Sequence, residues 1–279
     1  MNIFVTGANG FLGNSLLQHL QKDHCVKGSV RRLYDQNNNA NLVEMDLREP
    51  VAQNIFQGQD VIIHCAHDFS PQSYEINLHG TKKLFYLAKE AGVKKQIFIS
   101  SYSALAGAVS VYGKTKYALE SFFLDNMETV IRPGLVIGNG GMFGKTASSA
   151  LASPIIPLID GGHDLIPVLA IADFNVAVER ILSSELREYN LFNPKLVSMR
   201  QLLEELLKKS TRKSIFVNIP SPFAIFALDT LKTLGLKLAT GSDSIKGLKM
   251  NSTAPFVSNL SLLVQHPQEL GIMVGAALP

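Results

Sequence analysis

The feature that most constrains the fold is a glycine-rich turn that directly follows a short apolar strand. Ile3-Phe-Val5 forms the predicted strand, and Thr6-Gly-Ala-Asn-Gly-Phe-Leu-Gly13 leads from it into a segment with helical periodicity. Glycine allows tight turns and close approach to the backbone, and the first amides of a helix attract phosphate. Gly7, Gly10 and Gly13 therefore predict a cradle for a dinucleotide pyrophosphate, although their GxxGxxG spacing is one residue longer at its first step than the common fingerprint.

Short β-branched runs alternate with helical patterns over most of the chain, which is typical of βαβ units. The predicted strands after the first are Cys25–Val30, Leu42–Met45, Asp60–His64, Gln96–Ser100, Thr129–Arg132 and Glu188–Phe192. The predicted helices are Phe11–Lys22, Tyr74–Ala91, a segment through Tyr112 to about Asp125, Ala172–Ser183, Met199–Lys209, Phe223–Leu234 and Ser242–Leu248. This order predicts an α/β fold with a doubly wound parallel sheet, the Rossmann architecture.

The alternation changes in the last half of the chain. Gly138–Met142 and Pro154–Pro167 read as loops around a short helix, and helical patterns dominate after Phe192. We expect a dinucleotide-binding domain over residues 1–192 and a small, mainly helical substrate lobe over residues 193–279, to which residues 139–168 contribute. The 279 residues are enough for this arrangement.

Composition and charge argue against several classes of protein. With 46% hydrophobic and 18% charged residues the chain is typical of a globular protein, and its net charge of +3 gives little support for nucleic-acid binding. The apolar runs are shorter than the roughly 20 residues of a membrane span, and the glycine turn follows the start too closely for a signal peptide. Cys25 and Cys65 cannot build a disulfide framework. We expect a cytoplasmic protein with a small-molecule substrate and without a membrane or nucleic-acid partner, and a homodimer is one option for its assembly.

A tyrosine and a lysine four residues apart, in Tyr112-Gly-Lys-Thr-Lys116, form the most informative chemical motif. On a helix, residues at this spacing share a face and lie within reach of each other. The charge of Lys116 is expected to favour the phenolate of Tyr112 and lower its pKa from about 10, so that tyrosine transfers protons near neutral pH. Ser101 supplies a hydroxyl that can hold a substrate oxygen. Together with the glycine turn, these residues predict a nicotinamide-dependent redox site.

The end of the second strand bears on the choice of cofactor. Enzymes that bind NAD commonly have an acidic residue there for the ribose 2′-hydroxyl. This chain has Arg31 and Arg32 instead, and guanidinium groups are well shaped for a 2′-phosphate. We therefore predict NADP. The alternative is NAD, with two solvated arginines and with Asp35 holding the ribose.

No metal site is predicted. His64 and His67 lie three residues apart at a strand end, but with Asp68 they complete no ligand spacing typical of a metal centre.

These motifs together resemble the short-chain dehydrogenase/reductase superfamily, specifically its extended branch of epimerases, dehydratases and reductases, from Met1 to about Val178. Asp46-Leu47 resembles the pair that holds adenine, His64-Cys-Ala-His67 a segment that lines the cofactor, and Val26–Arg32 the dihydroflavonol-reductase type that uses NADP. The implied cofactor-binding residues are Gly7, Asn9, Gly10, Phe11, Leu12, Gly13, Arg31, Arg32, Asp46, Leu47, Cys65, Ala66, His67, Lys116 and Pro133. The implied catalytic residues are Ser101, Tyr112 and Lys116, with Asn77 supporting Lys116.

The sequence departs from the pattern of this family in three places. Ser101 and Tyr112 are separated by only 10 residues, which indicates a shortened loop over the substrate. His67 stands where a small residue is usual, and the segment from Asn251 onward matches only loosely. These departures bear on which substrate class the resemblance implies more than on which residues it implies to be catalytic.

Three functional hypotheses stay open. The first is an NADP-dependent oxidoreductase that acts on a carbonyl or a secondary alcohol, with hydride passing at the nicotinamide and Tyr112 moving the proton. The second is a nucleotide-sugar epimerase or dehydratase in which a held cofactor oxidises the sugar transiently. The third, from another class, is a non-catalytic NAD(P)-binding sensor or assembly subunit.

Overall fold

A computed structural model describes residues 1–33, 41–209, 214–226, 242–252, 254 and 257–278. Its strands in chain order are β1 (Asn2–Thr6), β2 (Cys25–Val30), β3 (Leu42–Glu44), β4 (Val61–His64), β5 (Lys95–Ile99), β6 (Thr129–Pro133), β7 (Leu135–Ile137), β8 (Ile155–Ile159), β9 (Leu165–Ile166), β10 (Val168–Ala170), β11 (Glu188–Leu191), β12 (Val197–Ser198) and β13 (Ile215–Ile219). The helices are α1 (Phe11–Leu20), α2 (Ser73–Glu90), α3 (Val111–Asp125), α4 (Gly141–Ala152), α5 (Ile171–Ile181) and α6 (Met199–Leu207), followed by Ser242–Asn251, Leu260–Leu263 and Leu270–Ala277.

Seven parallel strands form the central sheet in the order β11-β6-β5-β4-β1-β2-β3, which confirms the predicted doubly wound fold. Both faces of this sheet are covered. In β1, Ile3 and Val5 belong to the core that includes α1 and α5, while Phe4 between them belongs to the core under α2. Side chains alternate between the faces of a strand, so a strand covered on both sides must be apolar throughout.

The parallel arrangement brings the carboxyl ends of all central strands to one edge of the sheet. Thr6 of β1 lies beside His64 of β4, and β5 follows directly beside β4. The glycine turn, the segment after His64 and the segment after Ile99 therefore meet at this edge, where doubly wound folds bind their ligands. The adjacent strand order places them together although they are about 100 residues apart in sequence.

The last half of the chain contains more strands than the sequence pattern predicts. The segment Pro154–Pro167, which was expected to be a loop, contains β8 and β9, and β13 was also not predicted. Strand β8 pairs in parallel with β13, and β9 pairs antiparallel with β12. Pro157 argues against a strand by pattern, but among the described strands β8 pairs with β13 alone, and proline is tolerated at the edge of such a two-stranded sheet. Of the predicted helix Phe223–Leu234, only residues up to 226 lie within the described part of the chain.

A second apolar core lies outside the central sheet. It joins α4, β8 and α6 with the helix Leu270–Ala277, through side chains such as Phe143, Leu158 and Leu206. Leu260, by contrast, packs into the core of the central sheet. The expected boundary at residue 192 stays a prediction.

No helix in the described ranges is long and apolar enough to cross a membrane.

Candidate active site

The glycine turn after β1 is closely packed against the end of β4. Gly7 has a φ of +68°, and a Cβ there would lie 2.8 Å from the Ala66 Cα. A Cβ on Gly13 would lie 2.3 Å from the Gly7 carbonyl oxygen. Thr6 Oγ1 accepts the backbone N–H groups of Cys65 and Ala66, each at 3.0 Å. The fold itself therefore requires glycine at positions 7 and 13.

Gly10 differs from these two glycines. Its backbone is extended, with φ −78° and ψ 164°, and it is the residue before the first turn of α1. A Cβ there would meet only the Gly7 carbonyl oxygen, at 3.2 Å. The exposed backbone of Gly10 borders the amino end of α1, where phosphate binds in such turns.

A cavity of about 550 Å³ opens beside this turn at the carboxyl ends of the strands. It is lined by Gly7, Asn9, Ser29, Arg31, Arg32, Met45, Asp46, Leu47, Arg48, Ala66, His67 and Asp68. Eight of these are among the cofactor-binding residues expected from the sequence, whereas Ser29, Met45, Arg48 and Asp68 are additional. The cavity thus unites the ends of β1, β2 and β4 with the segment after β3.

The other expected cofactor residues lie outside the lining of this cavity. The ring of Phe11 packs against the backbone at Gly138 and Gly141, while Leu12 and Cys65 are half-buried against the core of the central sheet. Pro133 is buried, and its carbonyl oxygen accepts the N–H of Tyr102 at 3.0 Å. A role for these residues in cofactor binding stays a prediction.

The arginines of the cavity are paired with carboxylates. Arg31 Nη2 lies 3.3 Å from Asp68 Oδ2, and Arg31 Nε lies 3.7 Å from Asp46 Oδ2. Arg48 Nη2 lies 2.5 Å from the same Asp68 oxygen. Arg32 is exposed, and Asp35, the alternative partner of the ribose, lies outside the described residues. The end of the cavity next to β2 therefore contains a group of alternating charges.

Asp68 is the buried member of this group. Its N–H donates to Asn77 Oδ1 at 2.7 Å, and its carbonyl accepts from Asn77 Nδ2 at 2.9 Å. Asn77 also donates to the Ser73 carbonyl, so it fixes Asp68 and the start of α2, whereas the resemblance implied support for Lys116. Burial alone would raise the pKa of Asp68, but hydrogen bonds from Ser70 and Arg48 hold the pKa below its usual value.

Tyr112 and Lys116 lie on α3 beside the end of β5. Lys116 is buried, its Nζ donates to the Ile99 carbonyl at 2.7 Å, and it lies 5.9 Å from the centre of the Tyr112 ring. The side chain of Ser101 hydrogen-bonds Tyr112. The structure thus brings the three expected catalytic residues together at the sheet edge.

The pKa values in this trio differ from the sequence-based expectation. Burial raises the pKa of Tyr112 above its usual value of 10, and the hydrogen bond with Ser101 offsets this only in part. Burial lowers the pKa of Lys116 to about 8. The expected lowering of the tyrosine pKa by Lys116 is wrong for this structure, because Nζ points to the Ile99 carbonyl and burial dominates.

A buried ion pair anchors the far end of α3. Glu120 accepts from Arg132 Nε at 2.8 Å, pairs also with Arg132 Nη2, and accepts from Ser100 Oγ at 2.8 Å. Glu120 follows Lys116 by one helical turn. The same helix face therefore carries Tyr112 in its first turn, followed by Lys116 and Glu120, whose buried side chains hydrogen-bond the sheet.

His67 and Phe69 form an aromatic wall beside Tyr112. The His67 ring packs edge-on against Tyr112 at 5.1 Å and against Phe69 at 4.7 Å, and Phe69 stacks on Tyr112 at 6.2 Å. Burial lowers the pKa of His67 to about 3, so its ring is neutral near pH 7. Phe69 is 78% exposed and was not singled out by its sequence context.

His64 at the end of β4 is expected to make the protein acid-sensitive. Its ring hydrogen-bonds Gln96 Oε1 at 2.8 Å, and burial lowers its pKa from 6.5 to about 4. The unfolded chain therefore binds a proton that the folded chain excludes, so stability is lost as the pH falls from about 6.5 towards 4. The shift corresponds to about 3 kcal/mol over that window.

Urea unfolding followed by circular dichroism at pH 7 and pH 5 measures this effect. His64→Gln should reduce the loss of stability on acidification, whereas His79→Gln, which changes an exposed histidine on α2, should leave it as in the wild type. A His64→Gln protein with the full acid sensitivity would show that other groups cause it.

Parts of the chain are similar in sequence to known proteins. A model of the NAD dependent epimerase/dehydratase family matches residues 3–127. The 3 beta-hydroxysteroid dehydrogenase/Delta 5-->4-isomerase of Mycobacterium tuberculosis (strain ATCC 25618 / H37Rv) is 26% identical over 197 residues, which cover 56% of this chain and 53% of that protein. The N-acetyl-alpha-D-glucosaminyl-diphospho-ditrans,octacis-undecaprenol 4-epimerase of Escherichia coli O157:H7 is 23% identical over 286 residues, covering 88% and 84%.

The fold is shared with solved structures. UDP-Glucuronic acid 4-epimerase from Bacillus cereus, in complex with UDP-Glucuronic acid and NAD, superposes with a TM-score of 0.72 at 21% identity, over 99% of this chain and 98% of that one. The chain spans about half the length of the hydroxysteroid dehydrogenase that it matches.

Proposed function

We propose that the protein is an NADP-dependent oxidoreductase, and the match of residues 3–127 to the model of the NAD dependent epimerase/dehydratase family supports this proposal. It would transfer hydride to or from a carbonyl or a secondary alcohol. The observation that carries this proposal is the Ser101–Tyr112 hydrogen bond at the sheet edge, with Lys116 one turn further along α3. Tyr112, which packs against the cavity residue His67, would act as the proton donor in this arrangement.

The chain's residues fit a dinucleotide. The exposed Gly10 backbone leaves room for a pyrophosphate, and the cavity runs from Gly7 and Asn9 of the same turn to the arginines at the end of β2. The bound nicotinamide would supply or accept the hydride. Arg31 and Arg32 would face the 2′-phosphate, Asp46 and Leu47 the adenine, and Lys116 the nicotinamide ribose.

Tyr112 would donate the proton to the carbonyl oxygen of the substrate. Its raised pKa keeps the phenol protonated at neutral pH, which suits a general acid and therefore favours the direction of carbonyl reduction. Ser101 would hold the same oxygen through its hydroxyl. The buried charge of Lys116 would stabilise the phenolate that remains after the proton has left.

Cofactor choice gives the first test of this proposal. Arg31→Ala is expected to weaken the binding of NADP by about 30-fold or more, equivalent to about 2 kcal/mol, because a charge partner of the 2′-phosphate is lost. The affinity for NAD should stay nearly unchanged. Calorimetric titration of both cofactors into the wild type and the variant measures the difference.

Wild-type affinity must also favour NADP over NAD. Equal affinities for the two cofactors, left unchanged by the substitution, would rule out NADP selection by this arginine.

A nucleotide-sugar epimerase or dehydratase is the second candidate. The observation that favours it is the match over 88% of this chain to the Escherichia coli relative, whose name is that of a 4-epimerase. In such chemistry Tyr112 would remove a proton from a sugar hydroxyl and later return one, without net redox change. The two arginines at the end of β2 weigh towards the NADP-dependent reaction instead.

A substrate screen separates the candidates. Purified protein is incubated with NADPH and a panel of carbonyl compounds, and in parallel with nucleotide sugars whose products are analysed by chromatography. Loss of NADPH absorbance with a carbonyl compound supports the oxidoreductase. Interconversion of a nucleotide sugar without net cofactor change supports the epimerase, and tight NADPH binding without any turnover supports the non-catalytic sensor.

A further inference from the structure

Two arginines from different parts of the chain meet on a single carboxylate oxygen at the cavity. Arg31 directly follows β2, and Arg48 lies in the segment after β3. The Nη2 atom of Arg31 is 3.3 Å from Asp68 Oδ2, and the Nη2 atom of Arg48 is 2.5 Å from the same oxygen. Both arginines line the cavity, with 51% and 40% of their side chains exposed. Two like charges are thus held side by side on one wall.

Asp68 can hold them because it is itself fixed. Its side chain is 2% exposed, and Asn77 bonds both its N–H and its carbonyl oxygen. Its second carboxylate oxygen accepts the N–H of Ser70 at 2.7 Å. A guanidinium group has five N–H donors, and Asp68 takes one from each arginine, so donors are left that can turn to a ligand.

The charges on this wall do not cancel. Among the described residues that line the cavity, Arg31, Arg32 and Arg48 are positive, while Asp46 and Asp68 are negative, which leaves one positive charge in excess. A phosphate monoester carries a charge of about −1.5 to −2 at pH 7, whereas a ribose hydroxyl carries none. The wall therefore complements a phosphate on the ribose better than a hydroxyl.

We propose that Arg48 is a specificity-determining residue that binds the 2′-phosphate of NADP together with Arg31, and that Asp68 is the positioning residue that holds both guanidinium groups. This rests on the proposed function, in which NADP is the cofactor. Arg48 then does more than neutralise a buried carboxylate. A residue that served only as the counter-ion of Asp68 would affect stability, and its loss would change the affinities for NAD and NADP equally.

The test measures the dissociation constants of NADPH and NADH, which differ only in the 2′-phosphate, for the full chain by titration of cofactor fluorescence. Arg48→Leu is expected to weaken NADPH binding by about 10-fold or more and to leave NADH binding within about twofold. Arg48→Lys keeps the charge but has no planar fork, so an intermediate loss is expected. Adenosine 2′,5′-bisphosphate and adenosine 5′-monophosphate, used as competitors, should show the same selective loss.

Arg187→Leu provides the matched control. Arg187 is an exposed arginine directly before β11, at the opposite edge of the sheet, so its removal changes the net charge equally without touching the cavity. Both cofactors should bind to this variant as to the wild type. Thermal unfolding of every variant reports whether Asp68 has lost a structural partner.

Three results would overturn the inference. Equal weakening of NADPH and NADH by Arg48→Leu, together with a lowered unfolding temperature, would assign Arg48 the counter-ion role alone. Should Arg48→Leu fail to fold, unchanged cofactor selectivity in Arg48→Lys and in the adenosine 2′,5′-bisphosphate competition would do the same. Both leave the proposed function standing, provided that the wild type prefers NADPH. A wild type that binds NADH as tightly as NADPH would instead reject NADP as the cofactor, and this inference with it.

Discussion

Tyr112→Phe is expected to lower turnover by roughly 10²–10⁴-fold while leaving the affinity for NADPH nearly unchanged. The substitution removes only the hydroxyl that Ser101 hydrogen-bonds, and the ring can still pack against His67 and Phe69. Steady-state rates with the substrate found by the screen, and cofactor titration in the absence of substrate, measure the two effects separately. A Tyr112→Phe protein with normal turnover would refute the role of Tyr112 as general acid.

The pH dependence of the wild-type reaction should follow Lys116 more than Tyr112. Because the pKa of Lys116 is about 8, its positive charge is present below that pH and is lost as the pH rises through it. The rate of carbonyl reduction should therefore fall above about pH 8, as the phenolate loses its charge partner. Lys116→Arg keeps a charge throughout this range, so any activity it retains should lack the fall. A wild-type rate that stays constant between pH 7 and pH 9 would contradict this role.

Gly10→Val is expected to abolish detectable dinucleotide binding in a protein that still folds. The added side chain extends from the exposed backbone at the amino end of α1, where the pyrophosphate must approach, and its Cβ meets only the Gly7 carbonyl oxygen at 3.2 Å. Calorimetry with NADPH measures binding, and circular dichroism measures folding.

Gly13→Val is the contrasting variant. A Cβ at Gly13 would lie 2.3 Å from the Gly7 carbonyl oxygen, so this substitution should destabilise the fold itself. Comparing Gly10→Val with Gly13→Val distinguishes a glycine that ligand binding requires from a glycine that the fold requires. Retained NADPH affinity in folded Gly10→Val would show that the phosphate binds elsewhere.

The central sheet was predictable from sequence because its strands are buried on both faces. Apolar runs such as Val61–Ile63 are typical of that environment, and the helices between the strands have clear periodicity. The small sheets after β6 gave no such signal. Strands of two or three residues and a strand interrupted by Pro157 cannot be distinguished from loops, because their pairing depends on long-range contacts.

At the candidate site, the positions of Ser101, Tyr112 and Lys116 followed from motif order, while their electrostatics did not. The pKa of Tyr112 depends on burial and on the direction of the Lys116 side chain, which spacing alone does not fix. Arg48 and Asp68 were missed for a related reason. Arg48 follows Leu47 and Asp68 follows His67, both of which were singled out from the sequence. The contact between Arg48 and the Asp68 carboxylate, however, exists only once the segments after β3 and β4 are brought together in the fold.

The attachment of α3 by Glu120 and Lys116 has a consequence for how the chain tolerates insertions and deletions. Both residues hold the helix to the sheet through side-chain hydrogen bonds, whereas residues 106 and 107 of the preceding loop are exposed. We therefore expect a change of length at residues 106 and 107 to leave Tyr112 facing Ser101, while one residue inserted between Tyr112 and Lys116 would rotate the tyrosine by about 100° about the helix axis. We expect the length of this loop to vary more freely than the spacing of Tyr112 and Lys116, on which the proposed proton transfer depends.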